Sequence, residues 1–240
     1  MTFVHWPVDP SLLRPVLPAG LRVDEYGASG WVTLAPFLMD DVRLVGAPPL
    51  PSATRFPETN LRTYAVGPEG RRGIWFFSLD AASIPVTLAA RTLLGAPYHF
   101  ADLSIDHLAG GVELRYRGRR LGFGPPSEYH MVVRPGSPIE PTSLDVWLTH
   151  RWRAFTSLSG RLFEIPVRHG PWPLQSASLI EFDEMLTARA GVPVGQPALV
   201  HWSAGVDDVV FGRPLHHHRP GLLGSGLRAL KDLGRAGVSA

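Results

Sequence analysis

The chain has 240 residues, 45% of them hydrophobic and 18% charged, close to globular averages, which excludes a disordered or fibrous protein. It contains no cysteine, which removes disulfide scaffolds, thiol nucleophiles, iron–sulfur ligation and cysteine-type zinc sites. Its only lysine is Lys231, so 22 of the 23 cations are arginine, and the net charge of +2 gives no case for nucleic acid as a partner.

In chain order, Asp9-Pro10 reads as an N-cap followed by proline at the first position of a short helix. Residues 31–38 are rich in β-favouring side chains and predict a strand, with Pro36 pointing to an edge or a bulge because it cannot donate to a ladder. Residues 60–66 alternate, Leu61, Thr63 and Ala65 against Arg62, Tyr64 and Val66, and with residues 74–79 they form a hairpin. Residues 83–94 are the best helix, with Ser83 as cap, Pro85 in the first turn and Gly95 as terminator. A tight turn carrying Tyr98 and His99 is expected straight after it.

Strands follow at 112–117, 129–134, 163–168, 174–182, 199–203 and 208–211, with short helices at 144–151 and 183–190. This is a β-dominated α+β pattern without the βαβ alternation of a nucleotide-binding sheet. One domain over residues 1–212 is expected, followed by a tail over 213–240 that is flexible or weakly helical: its leucines allow an amphipathic helix, which Gly224 and Gly226 weaken. His216, His217 and His218 are adjacent and do not converge on one metal site. No stretch has the length of a membrane span and the start lacks the order of a signal peptide, so the expected location is the cytoplasm, with no membrane partner.

No phosphate-binding loop, dinucleotide fingerprint, zinc-protease motif or calcium loop occurs, so neither a cofactor nor a metal is expected. Ser203 sits in His201-Trp-Ser-Ala-Gly205, which lacks the first glycine of a nucleophile elbow. Four polar groups remain inside aromatic-rich text. Glu58 and Arg62 enter one strand, where the plain alternative is an ion pair across a sheet edge. Tyr98 and His99 follow the helix. His169 precedes Trp172, and His201 precedes Trp202 and the pair Asp207-Asp208, which cap a turn or set the imidazole tautomer.

These segments carry a resemblance. Residues 3–10 (Phe-Val-His-Trp-Pro-Val-Asp-Pro), 17–21, 56–64 (Phe-Pro-Glu-Thr-Asn-Leu-Arg-Thr-Tyr), 73–80, Ala90-Arg91 with Pro97-Tyr98-His99, 171–174 and 201–203 look like the YqjF-like family of uncharacterised bacterial proteins. The likeness covers most of residues 1–212. That family is grouped with the acetoacetate-decarboxylase-like fold, which implies a cone-shaped, mostly antiparallel β-barrel around an internal pocket. In the decarboxylases a Gly-Phe-Pro-Lys-Lys turn supplies the imine-forming lysine. The similar turn here reads Gly95-Ala-Pro97-Tyr98-His99, and Glu58 stands in Pro-Glu-Thr where the enzymes have Glu-Ser-Gly. Only a primary amine forms that imine, so a Schiff-base decarboxylase is not expected.

Three readings follow. The first is an enzyme acting on a small organic acid or carbonyl compound by acid–base chemistry of a lyase or hydrolase type. Glu58, Tyr98 and His99 are its catalytic candidates; Arg62, Arg91, Trp75, His169, Trp172 and His201 are its binding candidates. The second is a small-molecule binder or sensor using the same pocket, and the third is a structural protein that fills the pocket with its own side chains. Oligomeric state is not legible in the residues; the fold often assembles, so a homo-oligomer stays open.

Overall fold

The computed structural model describes residues 1–40, 43–44, 55–108, 110–122 and 126–217. Its elements in chain order are β1 (Thr2–Val8), α1 (Pro10–Leu13), β2 (Arg22–Val23), β3 (Gly30–Met39), β4 (Arg43–Leu44), β5 (Phe56–Val66), β6 (Arg72–Ala81) and α2 (Ile84–Leu94). Then come β7 (Tyr98–His107), β8 (Leu114–Arg120), β9 (Glu128–Pro138), α3 (Ser143–Thr149), β10 (Arg153–Leu158) and β11 (Arg161–Arg168). The last are β12 (Leu174–Glu184), α4 (Leu186–Arg189), β13 (Leu199–Ser203), β14 (Val210–Phe211) and β15 (Leu215–His216).

Nine strands close on themselves in the order β5, β3, β1, β13, β12, β9, β8, β7, β6 and back to β5. All neighbours in this ring are antiparallel except β6 and β7. A parallel pair needs a crossover, and α2 supplies it. From the ring, β6 also pairs with β10 through Ala154 opposite Ile74, and β11, β14, β15 and β4 extend this outer flap. The molecule is thus a β-dominated α+β barrel with a strand layer and short helices outside it.

The interior is filled. Val4, Val32, Leu61, Leu103, Tyr116, Tyr129, Met131 and Val133 form one buried cluster, with Phe77, Leu179 and Trp202 packed against it, so every strand of the ring contributes. A ring of about eight strands is just wide enough for its own side chains to fill. Because strand residues alternate between faces, Thr59 and Leu61 point inward and Glu58, Asn60 and Arg62 point outward, under the outer layer. The barrel interior is thus lined by apolar and aromatic side chains. The polar candidates on β5 line its outer wall instead.

Local chemistry explains the element ends. Asp9 accepts from the Ser11 amide at 2.7 Å and Pro10 opens α1. Gly95 takes a left-handed φ of 61° to end α2, and a Cβ there would lie 2.5 Å from the Ser157 carbonyl oxygen, so the position also needs the missing side chain. Thr142 and Asp145 form a reciprocal capping box at the start of α3.

Several expectations change. Tyr98 and His99 open β7 rather than sitting in a tight turn, because Leu79 and Asp80 of β6 pair with them. Pro36 is in an inner strand, at a point where β3 still pairs with β5 but its pairing with β1 has ended at Leu34. Both faces of β5 are buried, one by the core and one by the outer layer, so its alternation does not mark a solvent side. The expected helix at 183–190 shrinks to α4 because β12 runs on to Glu184. Pairing continues past residue 212, where β15 joins β11 and the buried Glu164 lies 3.1 Å from His217 Nε2. His218, Lys231 and the leucine-rich stretch of the tail lie outside the described residues. Among those described, no helix is long and apolar enough to cross a membrane.

Gly118 shows how tightly the interior is filled: the Tyr129 ring lies where its side chain would be, 2.3 Å from an added Cβ, which lets the Tyr129 hydroxyl meet Thr59 Oγ1 at 2.6 Å. Gly118→Ala should destabilise the barrel by about 1–3 kcal/mol through overpacking. Urea unfolding checks this, with an unchanged slope and a lower midpoint as the expected result.

Candidate functional site

The outward face of β5 presents Glu58, Asn60 and Arg62 in one row, only 2%, 7% and 7% exposed. Tyr98 shares this face, since its partner Leu79 is opposite Asn60, and its hydroxyl donates to Glu58 Oε2 at 3.2 Å. Burial, with Asp80 adding to it, pushes the Glu58 carboxyl up to about 8 against the pull of the Tyr98 hydrogen bond. Burial and the nearby Glu58 also raise the Tyr98 phenol well above its ordinary value. The pair is a carboxyl that exchanges its proton near neutrality and a phenol that keeps its own.

Arg62 stands two rows along, opposite Thr33, which is opposite His5. Its guanidinium lies over the Phe3 ring at 5.4 Å. By register Phe3 is level with Asn60, so Arg62 leans back toward Glu58 rather than away from it. Its Nε and Nη2 are buried and have no hydrogen-bond partner among the described residues, and neither does Asn60 Oδ1. Glu58 and Arg62 do not form the ion pair that a plain sheet-edge reading requires: Glu58 is engaged by Tyr98. Buried guanidinium nitrogens left without an acceptor are costly and set this spot apart from the paired charges elsewhere in the structure.

Aromatic rings wall this position. Phe3 meets Trp172 edge-on at 5.5 Å, Trp172 lies 5.0 Å from His169, and His169 lies 4.6 Å from Trp152. Burial lowers the His169 imidazole, with the Gly170 carbonyl opposing and Arg62 adding to the lowering. His201 is on the same face of β13 as Phe3, its register partner, with its Nε2 3.1 Å from Asp145 Oδ1 and its Nδ1 3.3 Å from His5 Nε2.

The remaining candidates lie elsewhere. His99 is adjacent to Tyr98 in sequence and therefore on the opposite face of β7, beside its partner Asp80. There Asp80 accepts from Arg120 Nε at 2.9 and 3.0 Å, and burial, then Arg120 and Arg91, push His99 down to about 4. Arg91 is exposed on α2. Trp75 packs with Ala65 and Phe155 in a separate cluster. A surface depression of about 400 Å³ lined by Asp102, Arg117, Glu128 and His130 is on the far wall and includes none of the candidates.

Sequence reasoning overlooked Asn60, His5, Thr33 and Asp145. Asn60 carried a usable signal, since extending the strand back to Phe56 places it between Glu58 and Arg62 on one face. The meeting of His5 with His201 joins residues 196 positions apart and had no local signal.

The family model DUF2071, described as an uncharacterized conserved protein, matches residues 1–207. The uncharacterized protein YqjF of Bacillus subtilis (strain 168) is 37% identical over 214 residues, covering 87% of this chain and 86% of that protein. Among solved structures, acetoacetate decarboxylase from Legionella pneumophila subsp. pneumophila str. Philadelphia 1 is similar with a TM-score of 0.59 at 13% identity, over 90% of this chain and 84% of that one. The enduracididine biosynthesis enzyme MppR complexed with pyruvate is similar with a TM-score of 0.52 at 16% identity, over 91% and 86%. At such identities the likeness establishes the fold: this is an acetoacetate-decarboxylase-like barrel.

The raised Glu58 carboxyl has a consequence for stability. Unfolding frees Glu58 to ionise near its ordinary value of 4.5, so between there and about 8 the unfolded chain releases a proton that the folded one retains. Folding stability therefore falls as pH rises through that window, by up to about 1.4 kcal/mol per pH unit from this group. Glu58→Gln should flatten the fall between pH 5 and 8 in urea melts, gaining on the unsubstituted chain as pH increases.

Proposed function

This chain belongs to the DUF2071 family of uncharacterized conserved proteins, and we propose that it binds a small organic acid on the outer wall of its barrel and transfers a proton on it without an imine. The observation that carries this reading is the buried Arg62 guanidinium, whose Nε and Nη2 have no acceptor among the described residues. These two adjacent donors match the two oxygens of a carboxylate, which they hold in a bidentate fork. The unpartnered Asn60 Oδ1 beside it accepts from a hydroxyl or amide on the same ligand. Phe3, Trp172 and His169 wall the ligand with rings and keep water away.

Glu58 and Tyr98 are the reacting pair. Glu58 lies four residues from Arg62, about 13 Å along the strand, and the lean of Arg62 over Phe3 shortens the reach between the two stations. In its carboxylate form Glu58 takes a proton from the carbon next to a ligand carbonyl. The C–H electron pair becomes the C=C bond of an enolate and the C=O π pair moves to the carbonyl oxygen, which the Tyr98 hydroxyl, turning from Glu58, holds by a hydrogen bond. Returning the proton to carbon or to a departing group restores Glu58. None of the residues named for this wall is a lysine, and the proposed step uses no amine. MppR, a protein of this fold, is known in complex with pyruvate, which supports a 2-oxo acid as the first ligand to try.

A binder without chemistry is the second reading, favoured by the fact that His99 and Arg91 fall outside the shared face and leave one acid–base pair there.

Two measurements test these readings. Calorimetric titration with pyruvate should show binding that Arg62→Met reduces at least tenfold, since it removes the fork while keeping an unbranched apolar stem. Undiminished binding in that variant would sink the receptor. A screen of 2-oxo and 3-oxo acids in deuterated water should find exchange at the carbon next to the carbonyl. Glu58→Gln should abolish that exchange while sparing binding, and an enzyme-free rate for every acid leaves the binder.

A further inference from the structure

The wall that carries Arg62 also holds a hydrogen-bonded row that the proposed binding does not use. It consists of Asp145, His201, His5, Thr33 and Tyr64, each 5% exposed or less. Asp145 Oδ1 lies 3.1 Å from His201 Nε2, His201 Nδ1 lies 3.3 Å from His5 Nε2, and His5 Nδ1 lies 2.8 Å from Thr33 Oγ1. Thr33 Oγ1 meets the Tyr64 hydroxyl at 2.7 Å, and that hydroxyl donates to the Leu148 carbonyl at 3.0 Å.

Both ends of this row can only accept. Leu148 offers a carbonyl. Asp145 accepts at its Oδ2 from the Thr142 amide and hydroxyl, both at 2.8 Å, and offers Oδ1 to the row as a further acceptor. Five links between two acceptor ends need five protons. Two neutral imidazoles, a threonine and a tyrosine bring four. With His201 donating to Asp145 and His5 to Thr33, the deficit falls between the rings, where two lone pairs face each other across the longest link in the row, 3.3 Å. One proton from solvent, shared between His201 Nδ1 and His5 Nε2, completes it.

We propose that His5 and His201 share one proton whose occupancy is set by the charge at Arg62, so that an anion arriving at Arg62 brings a proton into the protein with it. The first half stands on the row alone; the second rests on the carboxylate reading above. The charged and titratable neighbours are these. Asp145, from α3, favours the proton. Arg62, from β5 and opposite Thr33, opposes it. Tyr64 faces the row with its hydroxyl, and Arg151, 4.9 Å from its ring, is paired with Asp24 at 2.6 Å. In the free protein burial holds both rings below the ordinary imidazole value, with Arg62 pressing further on His5 and Asp145 lifting His201. A carboxylate on Arg62 cancels the opposing charge and leaves Asp145 unopposed.

The experiment is a pH titration of the full chain followed by imidazole 15N NMR, with the two rings assigned by His5→Gln and His201→Gln. His5 and His201 should share one midpoint and take up one proton between them. Arg62→Met and Arg62→Gln should each raise that midpoint by about one pH unit, a tenfold gain in proton affinity for removing one charge about 10 Å away. Arg62→Lys, which keeps the charge, should leave it in place. Saturating pyruvate on the unsubstituted chain should raise the midpoint as the neutral variants do. Rings that titrate as two independent sites, or a midpoint unmoved in both neutral variants, overturn the proposal. A midpoint that moves with the variants and not with pyruvate upholds the coupling and rejects the carboxylate reading alone.

Discussion

The architecture depends on what a closed ring of strands does with alternation. A nine-strand barrel has an interior its own side chains can fill, and here they fill it, so one residue in two along β5 is committed to the core. The intervening residues must point outward. In most barrels that face meets water and carries ordinary surface charge. Here α3, β10 and β11 pack on Tyr64 at one end of it and Trp172 packs on the neighbouring Phe3, and the outward residues Glu58, Asn60 and Arg62 are buried as well. Groups chosen for a polar face are thereby placed in a low-dielectric one, where each must be paired, neutralised or left waiting for a partner.

The molecule uses all three outcomes. Asp24 and Arg151 pair across 2.6 Å, and Glu164 gathers Arg71, Arg153 and His217. Glu58 is neutralised by its proton, which burial strengthens. Arg62 can do neither, since a guanidinium does not give up its proton at any relevant pH and no described carboxylate reaches it. The same low dielectric makes that charge felt at His5. The proposed anion receptor and the proton-deficient row of hydrogen bonds on one wall would therefore both result from a single burial, and the coupling proposed between them needs no conformational change.

Much of this was legible in the residues. The β-dominated class, the helix that Gly95 ends, and the candidacy of Glu58, Arg62, Tyr98 and His201 came from residue patterns and motif context. The absence of lysine from the turn that resembles that of the decarboxylases was also plain, with Tyr98 and His99 standing there. Misread features share one cause: they depend on which strand pairs with which. Tyr98 and His99 look adjacent and cooperative until β7 pairs with β6 and alternation sends them to opposite faces. The outer wall, as opposed to the interior, could not be read from β5 alone, since its burial on both faces comes from a layer contributed some ninety residues later. Asp145 reads locally as a helix cap, which it is, and only the approach of β13 adds a histidine to its other oxygen.

The binding and the proton transfer proposed for this wall rest on Arg62 being a carboxylate receptor, and the most direct measurement is a crystal structure of the protein grown with pyruvate. Carboxylate oxygens within hydrogen-bonding distance of both Nε and Nη2 of Arg62, with the ligand's other end facing Glu58 and Tyr98, are the predicted result. Pyruvate ordered elsewhere while Arg62 stays unpartnered, or a protein side chain closing on those two nitrogens in its place, would contradict it.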